Sequence, residues 1–441
     1  MQTSTKRSKF LTVLILFSLT GQIAWVVENM YFNVFIYKMF HASPTDISAM
    51  VMASAVAATV TTLLMGALSD KLGRRKVFIA GGYILWGISI LSFAAIREDT
   101  VGLLFPTASV SAVCVTLVII MDCVMTFFGS TANDACFNAW LTDSTTHESR
   151  GAAEGINAMM PLIAVLAVFG GFMGFDLSHR KSWTAIFLII GAVVIVIGIG
   201  GLFLLDEPNK KADGTNGYFA NIIYGFRPSV MKQNPLLYLL LIAFALFGIS
   251  IQIFMPYLIL YYTEGLQLES YVLIMAPAII LAAIFTVFWG RIHDKVGFSK
   301  SMFPTLALLS LGFVLLYFCR STPIVFVGSL LMMCGQLAGT AVFGAVIRDY
   351  TPEGRAGMFQ GLRIVGQVLI PGMVGPAIGA WVLRGAETVV GDDGVESFIP
   401  NQNIFLAALV AALVLGLFLA LLLYIMKRKT ARETVKEASH E

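Results

Sequence analysis

Four ionisable residues stand inside long apolar runs: Glu28, Asp122, Asp134 and Arg363. Charge within a bilayer-crossing helix is costly, so such residues are functional candidates by default. Asp134 precedes Asp143, the polar end of its run, by nine residues. At 1.5 Å per residue that is about 13 Å along a helix, near mid-membrane. Ser130, Thr131 and Asn138 share its face by i−4, i−3 and i+4 spacing. An acid so placed can take up and release a proton, and Asp134 is the first expected coupling residue. Glu28 is a second expected position. Asp122 lies nearer the other end of the run, on a different face with Thr126 and Asn133. Arg363 forms a stripe with Gln360 and Gln367. It would hold an anionic or hydroxylated substrate, or else pair structurally with a carboxylate.

Neutral polar residues add a binding surface. Gln22, Trp25, Asn29 and Asn33 recur at i, i+3, i+7 and i+11, which predicts one continuous helix face. An aromatic beside amides suits a sugar, whose apolar ring face stacks while its hydroxyls hydrogen-bond. The plain alternative is helix packing joined by Asn and Gln. Asn138, Gln252, Tyr257 and Gln336 complete the expected substrate set with Arg363, although a Tyr near a helix end is often an interfacial belt residue. No G-x-x-x-x-G-K-[ST] and no nucleophile–base–metal constellation occurs, so neither an enzyme nor an ATP-driven device is expected. The five cysteines sit in apolar runs without a C-x-x-C pair. They read as small buried hydrophobes, with no metal site. No cofactor is expected beyond a proton or sodium as coupling ion.

The elements that must position these residues follow from composition. The 441 residues are 58% hydrophobic and 12% charged, against about 45–50% and about 25% in ordinary soluble domains. That excludes a soluble enzyme and a disordered chain, and a net charge of +3 implies no nucleic-acid partner. Twelve runs are long enough to span a bilayer: 10–38, 45–69, 77–96, 117–142, 152–175, 183–205, 235–262, 270–290, 300–319, 323–347, 357–383 and 403–426. The first is too long for a signal-peptide core. The segment 97–116 reads either as an outer loop or as an early start of the fourth helix. The polar stretch 206–234 divides the chain in half, and its inner piece YFANIIYGF could lie on the membrane surface. The expected fold is all-α, with a six-helix bundle over 1–205, a linker over 206–234 and a second bundle over 235–441. With both termini inside, inner segments carry 22 of the 29 Lys and Arg, which orients both termini to the cytoplasm. The expected location is the cytoplasmic membrane, the expected state a monomer.

The halves repeat each other. Gly66, Asp70, Lys71, Gly73 and Lys76 recur 224 residues later as Gly290, Asp294, Lys295, Gly297 and Lys300. Residues 129–143, GSTANDACFNAWLTD, align without gaps on 335–349, GQLAGTAVFGAVIRD, with Gly, Ala, Ala, Phe, Ala and Asp coincident. Such parallel repeats of six helices are a transporter pattern. In this alignment Asp134 meets Thr340, Asn133 meets Gly339 and Asn138 meets Gly344, so the acid and amides belong to the N-terminal half alone. Gly73 permits a tight turn. Asp70 at a helix C-terminus is opposed by the dipole and needs Arg74 or Arg75.

The G-x-x-x-D-[RK]-x-G-R-[RK]-[RK] loop, its degenerate copy and the Asp-to-Arg-Gly loops at Asp143–Gly151 and Asp349–Gly357 resemble the major facilitator superfamily over essentially the whole chain. The resemblance implies a secondary transporter with two bundles around a midplane cavity lined by helices one, four, seven and ten. It implies rocking of the bundles, with Gly66, Asp70, Gly73, Arg74, Arg75, Gly290, Asp294 and Gly297 forming the cytoplasmic gate. The pattern GQIAWVVENMYFNVFIY resembles sugar–cation symporters, and the fifth run lacks the G-P-x-x-G-G of drug antiporters. Import of a sugar or glycoside is therefore expected. Export of amphipathic compounds through a Met- and Phe-rich cavity is the alternative, and a non-transporting receptor lacks any output domain.

Overall fold

The computed structural model describes residues 2–105, 109–145, 147–207, 224–268, 270–352, 356–390 and 394–438. Among the described residues twelve helices are long and apolar enough to cross a membrane. They are α1 Ser8–Phe40, α2 Pro44–Leu72, α3 Arg75–Ala95, α4 Val110–Asp143, α5 Gly151–Phe172, α6 Arg180–Leu204, α7 Pro235–Gly265, α8 Tyr271–Val296, α9 Phe298–Phe318, α10 Thr322–Tyr350, α11 Gly361–Val382 and α12 Asn403–Ile425. The fourth starts at Val110, after a short helix Glu98–Leu104, so most of 97–116 is helical. Most of YFANIIYGF lies outside the described residues.

Local chemistry sets the ends. Ser43 caps α2 in a reciprocal box with Asp46, and Pro44 occupies the first turn, where its missing N–H costs nothing. Gly73 ends α2 at φ 61°, its N–H on the Ser69 carbonyl at 3.0 Å. Gly297 ends α8 at φ 77°. The glycines shared by the two repeat loops thus both take backbone that other residues adopt at a cost.

The chain forms two compact units. The first comprises Met1–Phe219, Pro256–Gly265 and Arg384–Pro400; the second comprises Ala220–Met255, Leu266–Leu383 and Asn401–Glu441. The division follows the halves of the sequence except at two segments, the end of α7 and the α11–α12 connection. The latter holds an antiparallel hairpin, β1 Thr388–Val390 with β2 Glu396–Phe398. Both segments are held by polar contacts inside the first unit. Tyr257 donates to the Pro44 carbonyl at 2.9 Å and Tyr37 to the Phe398 carbonyl at 2.6 Å. His41 Nδ1 lies 2.8 Å from Ser397 Oγ, and Lys38 pairs with Glu264 at 2.6 Å.

Within the first unit α3 packs on α6, α1 on α5 and α2 on α4; within the second α9 packs on α12, α7 on α11 and α8 on α10. Each pairing recurs six helices later, the packing counterpart of the sequence repeat. Small residues allow it: a Cβ on Gly87 of α3 would lie 2.6 Å from the Gly191 carbonyl of α6. Aromatics fill the interior of the first unit, where Phe32, Phe35, Phe93, Trp183 and Phe187 stack edge to face or tilted.

Candidate functional site

The polar residues cluster where helices depart from α geometry. A π-helical turn spans Val27–Tyr31 in α1, another Ser130–Phe137 in α4, a third Tyr261–Gly265 in α7 and a fourth Val365–Leu369 in α11. Such turns hold one extra residue, leave backbone groups less tightly paired and are frequent at functional sites. Glu28 and Asn29 sit in the first, Asp134 in the second and Gln367 in the fourth. The counterpart of α4 in the second half, α10, is α-helical throughout Thr322–Tyr350. The asymmetry of the acid is therefore also an asymmetry of backbone.

On α1, Gln22 and Trp25 are half-buried and Asn29 is exposed, so these three share an accessible face. Asn33 does not join them. It is 1% exposed and donates to the Asn29 carbonyl at 3.1 Å. The intervening π turn adds one residue, a rotation of about 100°, and carries Asn33 into the packed interior. The predicted continuous face is thus interrupted. The Trp25 ring packs against Trp86 of α3, tilted at 47° with centroids 5.0 Å apart. Both rings press on Gly129 of α4, where a Cβ would lie 2.7 Å from Trp86 and 3.0 Å from Trp25. The Trp25 indole N–H is buried and turned toward the Asp134 carboxyl.

On α4, Asp134 is half-buried and accepts from Ser130 Oγ at 3.0 Å. Asn138 is exposed one turn on, its amide on the Asp134 carbonyl at 3.0 Å. Thr131 turns inward onto the Phe127 carbonyl at 2.7 Å. Asn133 faces away from Asp134 and donates to Tyr83 Oη at 2.7 Å, which donates to the Phe17 carbonyl at 2.7 Å. This relay locks α1, α3 and α4 behind the accessible face. It leaves no room at Gly21, where a Cβ would lie 2.0 Å from the Asn133 amide nitrogen.

Asp122 and Glu28 are buried, at 2% and 5% exposure. Glu28 Oε1 accepts from Ser54 Oγ at 2.7 Å and from Thr126 Oγ1 at 2.8 Å. Glu28 therefore points behind the Trp25 face, into a pocket that Ser54 of α2 helps to close. Ser54, Tyr83 and Trp86 escaped the sequence reading. Their signal was faint: one hydroxyl in the small-residue run of α2, and two aromatics with polar atoms at i and i+3 on α3.

Regular α7 stops at Gln252, in the second unit, and resumes only at Leu258, in the first. Gln252 is half-buried at this break, and Gly375 of α11 packs on it, since a Cβ there would lie 2.8 Å from its carbonyl carbon. Broken helices at the repeat centre are where transporters bind solutes and ions. Arg363 is half-buried, its Nε 3.4 Å from Gln367 Oε1. Gln336 is half-buried with its side-chain amide oxygen unpaired. Tyr257, in the first unit, is fully buried on Pro44 and offers no accessible hydroxyl. The Gln360 side chain lies outside the described residues.

At the basic end of the first unit, Arg75 rather than Arg74 is the hub. Arg75 is 4% exposed, whereas Arg74 is exposed. Its guanidinium bonds Ser69 and Asp70 and reaches Asp143 Oδ2 at 3.2 Å, while its backbone N–H bonds Glu207. These partners all belong to the first unit and tie the α2–α3 loop, which starts seven residues after Gly66, to the end of α4 and the chain leaving α6. In the second copy, His293 stands where Ser69 does, and its Nδ1 lies 2.7 Å from Ser301 Oγ. Asp294 is exposed there, and no arginine follows Gly297 as Arg74 and Arg75 follow Gly73. Gly290 has open space around it. Among the described residues no group of three or more His, Cys, Asp or Glu side chains could hold a metal ion.

Twelve membrane-length helices in two repeated sets, with polar residues at interrupted turns, define a polytopic carrier protein. The family model of the Major Facilitator Superfamily matches residues 11–297 and 273–440, and the chain belongs to that superfamily. It is a secondary transporter and not an enzyme. No curated protein gives a significant sequence match. Among solved structures, the chain resembles a point mutant of nucleoside transporter NupG at TM-score 0.71 and 15% identity, over 93% of this chain and 99% of that one. A bacterial homologue of the human lysosomal transporter Spinster, inward-facing and occupied, gives 0.68 and 16% over 94% and 96%. The xylose transporter XylE from E. coli, partially occluded and inward open, gives 0.65 and 14% over 92% and 98%. At these identities the likeness is one of fold.

Proposed function

We propose that this transporter imports a sugar or glycoside across the cytoplasmic membrane, driven by a proton or other cation moving inward, with both termini in the cytoplasm. The observation that carries this reading is the accessible face of the first unit. There Gln22, Trp25 and Asn29 of α1 present an indole flanked by amides, and Asp134 and Asn138 of α4 add a carboxyl and an amide. An aromatic surface with a few well-placed polar groups is the usual make-up of a site for a small polar solute. Nucleoside and xylose transporters among the structural relatives support a hydroxylated solute. Asp134, half-buried between Ser130 and the Trp25 indole, takes the proton when the face is open to the outside and releases it to the cytoplasm. Arg363 and Gln367 of α11, with Gln252 and Gln336, supply the polar groups of the second half. Inward orientation of the termini rests on the 22 Lys and Arg assigned to inner segments.

A thermal-shift screen of the purified transporter against sugars, glycosides, nucleosides, amino acids and lipophilic cations tests the substrate class. A ligand that binds only the native state raises Tm by mass action. Stabilisation by sugars or glycosides alone is the expected result. Stabilisation by lipophilic cations alone would replace this reading with export of amphipathic compounds.

A further inference from the structure

Behind the substrate face, three oxygen-bearing side chains from three helices meet, and a fourth lies one turn away. Glu28 Oε1 lies 2.7 Å from Ser54 Oγ and 2.8 Å from Thr126 Oγ1, and the two hydroxyls are 2.9 Å apart. Asp122 precedes Thr126 by four residues on α4, one turn along the same face, close enough for Glu28 to act on it electrostatically. Glu28 and Asp122 are 5% and 2% exposed, and Thr126 is fully buried. Glu28 Oε2 and Asp122 Oδ1 are both buried without a hydrogen-bond partner. No described Lys, Arg or His forms an ion pair with either acid.

Two carboxyls removed from water need compensating charge or complete hydrogen bonding. Protonation would remove the charge as well, and absence of sodium binding at fixed pH is what distinguishes it. A cation between them serves both at once and uses the free lone pairs of the two hydroxyls. The donor set is oxygen only, which selects a hard cation over a transition metal. Magnesium demands near-ideal octahedral geometry and calcium takes six to eight oxygens; two carboxyls and two hydroxyls, giving one oxygen each, supply too few for either. We infer that Glu28, Asp122, Ser54 and Thr126 form a binding site for a monovalent cation of sodium size, distinct from Asp134 and from the sugar-facing residues. Nothing in this inference depends on which solute is carried.

The experiment is equilibrium binding of radioactive sodium to the purified full-length transporter at fixed pH, with thermal stability followed in sodium chloride against choline chloride and potassium chloride. Saturable sodium binding is expected, with a matching rise in Tm that choline and potassium do not give. Asp122→Asn and Glu28→Gln should each weaken sodium binding at least tenfold, and Ser54→Ala, a milder change in case the acid variants fold poorly, roughly tenfold. Absence of saturable sodium binding overturns the inference. So does equal stabilisation by potassium, or sodium affinity unchanged in Asp122→Asn or Ser54→Ala. Sugar uptake driven by a pH gradient in sodium-free buffer reports separately on the proposed import, so the two can fail independently.

Discussion

Arg75 Nη2 lies 3.2 Å from Asp143 Oδ2, joining the start of α3 to the end of α4 within the first unit. The arginine side chain is 5% exposed and the aspartate 12%. This pair makes the signature loop a structural knot of the N-terminal half, whatever it does during transport. Arg75→Ala removes the cation that Asp70 and Asp143 share, and breaking a buried pair in this way costs about 3–5 kcal/mol. Arg74→Ala, at an exposed position, should cost less than about 0.5 kcal/mol. Thermal unfolding of the two variants side by side checks the difference; equal losses would contradict it.

Gly21 gives a second test. An added Cβ would lie 2.0 Å from the Asn133 amide nitrogen and 2.7 Å from the Tyr83 hydroxyl. Gly21→Ala should therefore push α1 away from the Tyr83–Asn133 relay and destabilise by about 1–3 kcal/mol. Gly151→Ala, where a Cβ meets nothing within 4 Å, is the control. A lowered Tm for the first variant and an unchanged one for the second is expected.

The Lys38–Glu264 pair, 22% and 24% exposed, fastens the end of α7 to α1. Charge reversal separates its electrostatics from its packing. Lys38→Glu and Glu264→Lys should each lower stability, and the double reversal should recover most of the loss, with a coupling of about 1 kcal/mol. A double-mutant cycle on Tm measures it. Additive losses would mean that the pair contributes nothing.

Trp25 separates stacking from hydrogen bonding at the proposed sugar face. Trp25→Ala should weaken sugar binding roughly tenfold, about 1.4 kcal/mol. Trp25→Phe keeps an aromatic face, loses the indole N–H and should cost less. Binding isotherms with whichever sugar stabilises the wild-type transporter provide the measurement, and equal affinities in all three forms would remove Trp25 from the site.

Much of this architecture was legible because apolar run length is a direct demand of the bilayer. Most observed helix ends fall within a few residues of the predicted runs; α4 starts seven residues early, at Val110, and α8 ends six residues late, at Val296. Gly73 was readable as a turn because few residues other than glycine accept its φ of 61°. The π turns were not readable: an inserted residue changes hydrogen bonding without changing residue type, so Asn33 was assigned to a face that it leaves. The Arg75 hub was ambiguous between two adjacent arginines until burial separated them. Ser54 could not be matched to Glu28 because 26 residues and a helix connection separate them, and periodicity carries no information between helices. The break in α7 after Gln252 lies in an uninterrupted apolar run, with Pro256 its only local sign.

The central claim is that Asp134 couples solute movement to a proton. Uptake of sugar into proteoliposomes under an imposed pH gradient, acid outside, tests it most directly when wild type and Asp134→Asn are compared. The wild-type transporter should accumulate sugar against its gradient. Asp134→Asn should lose accumulation and still exchange labelled for unlabelled sugar in counterflow. Accumulation by Asp134→Asn equal to that of the wild type would contradict the account.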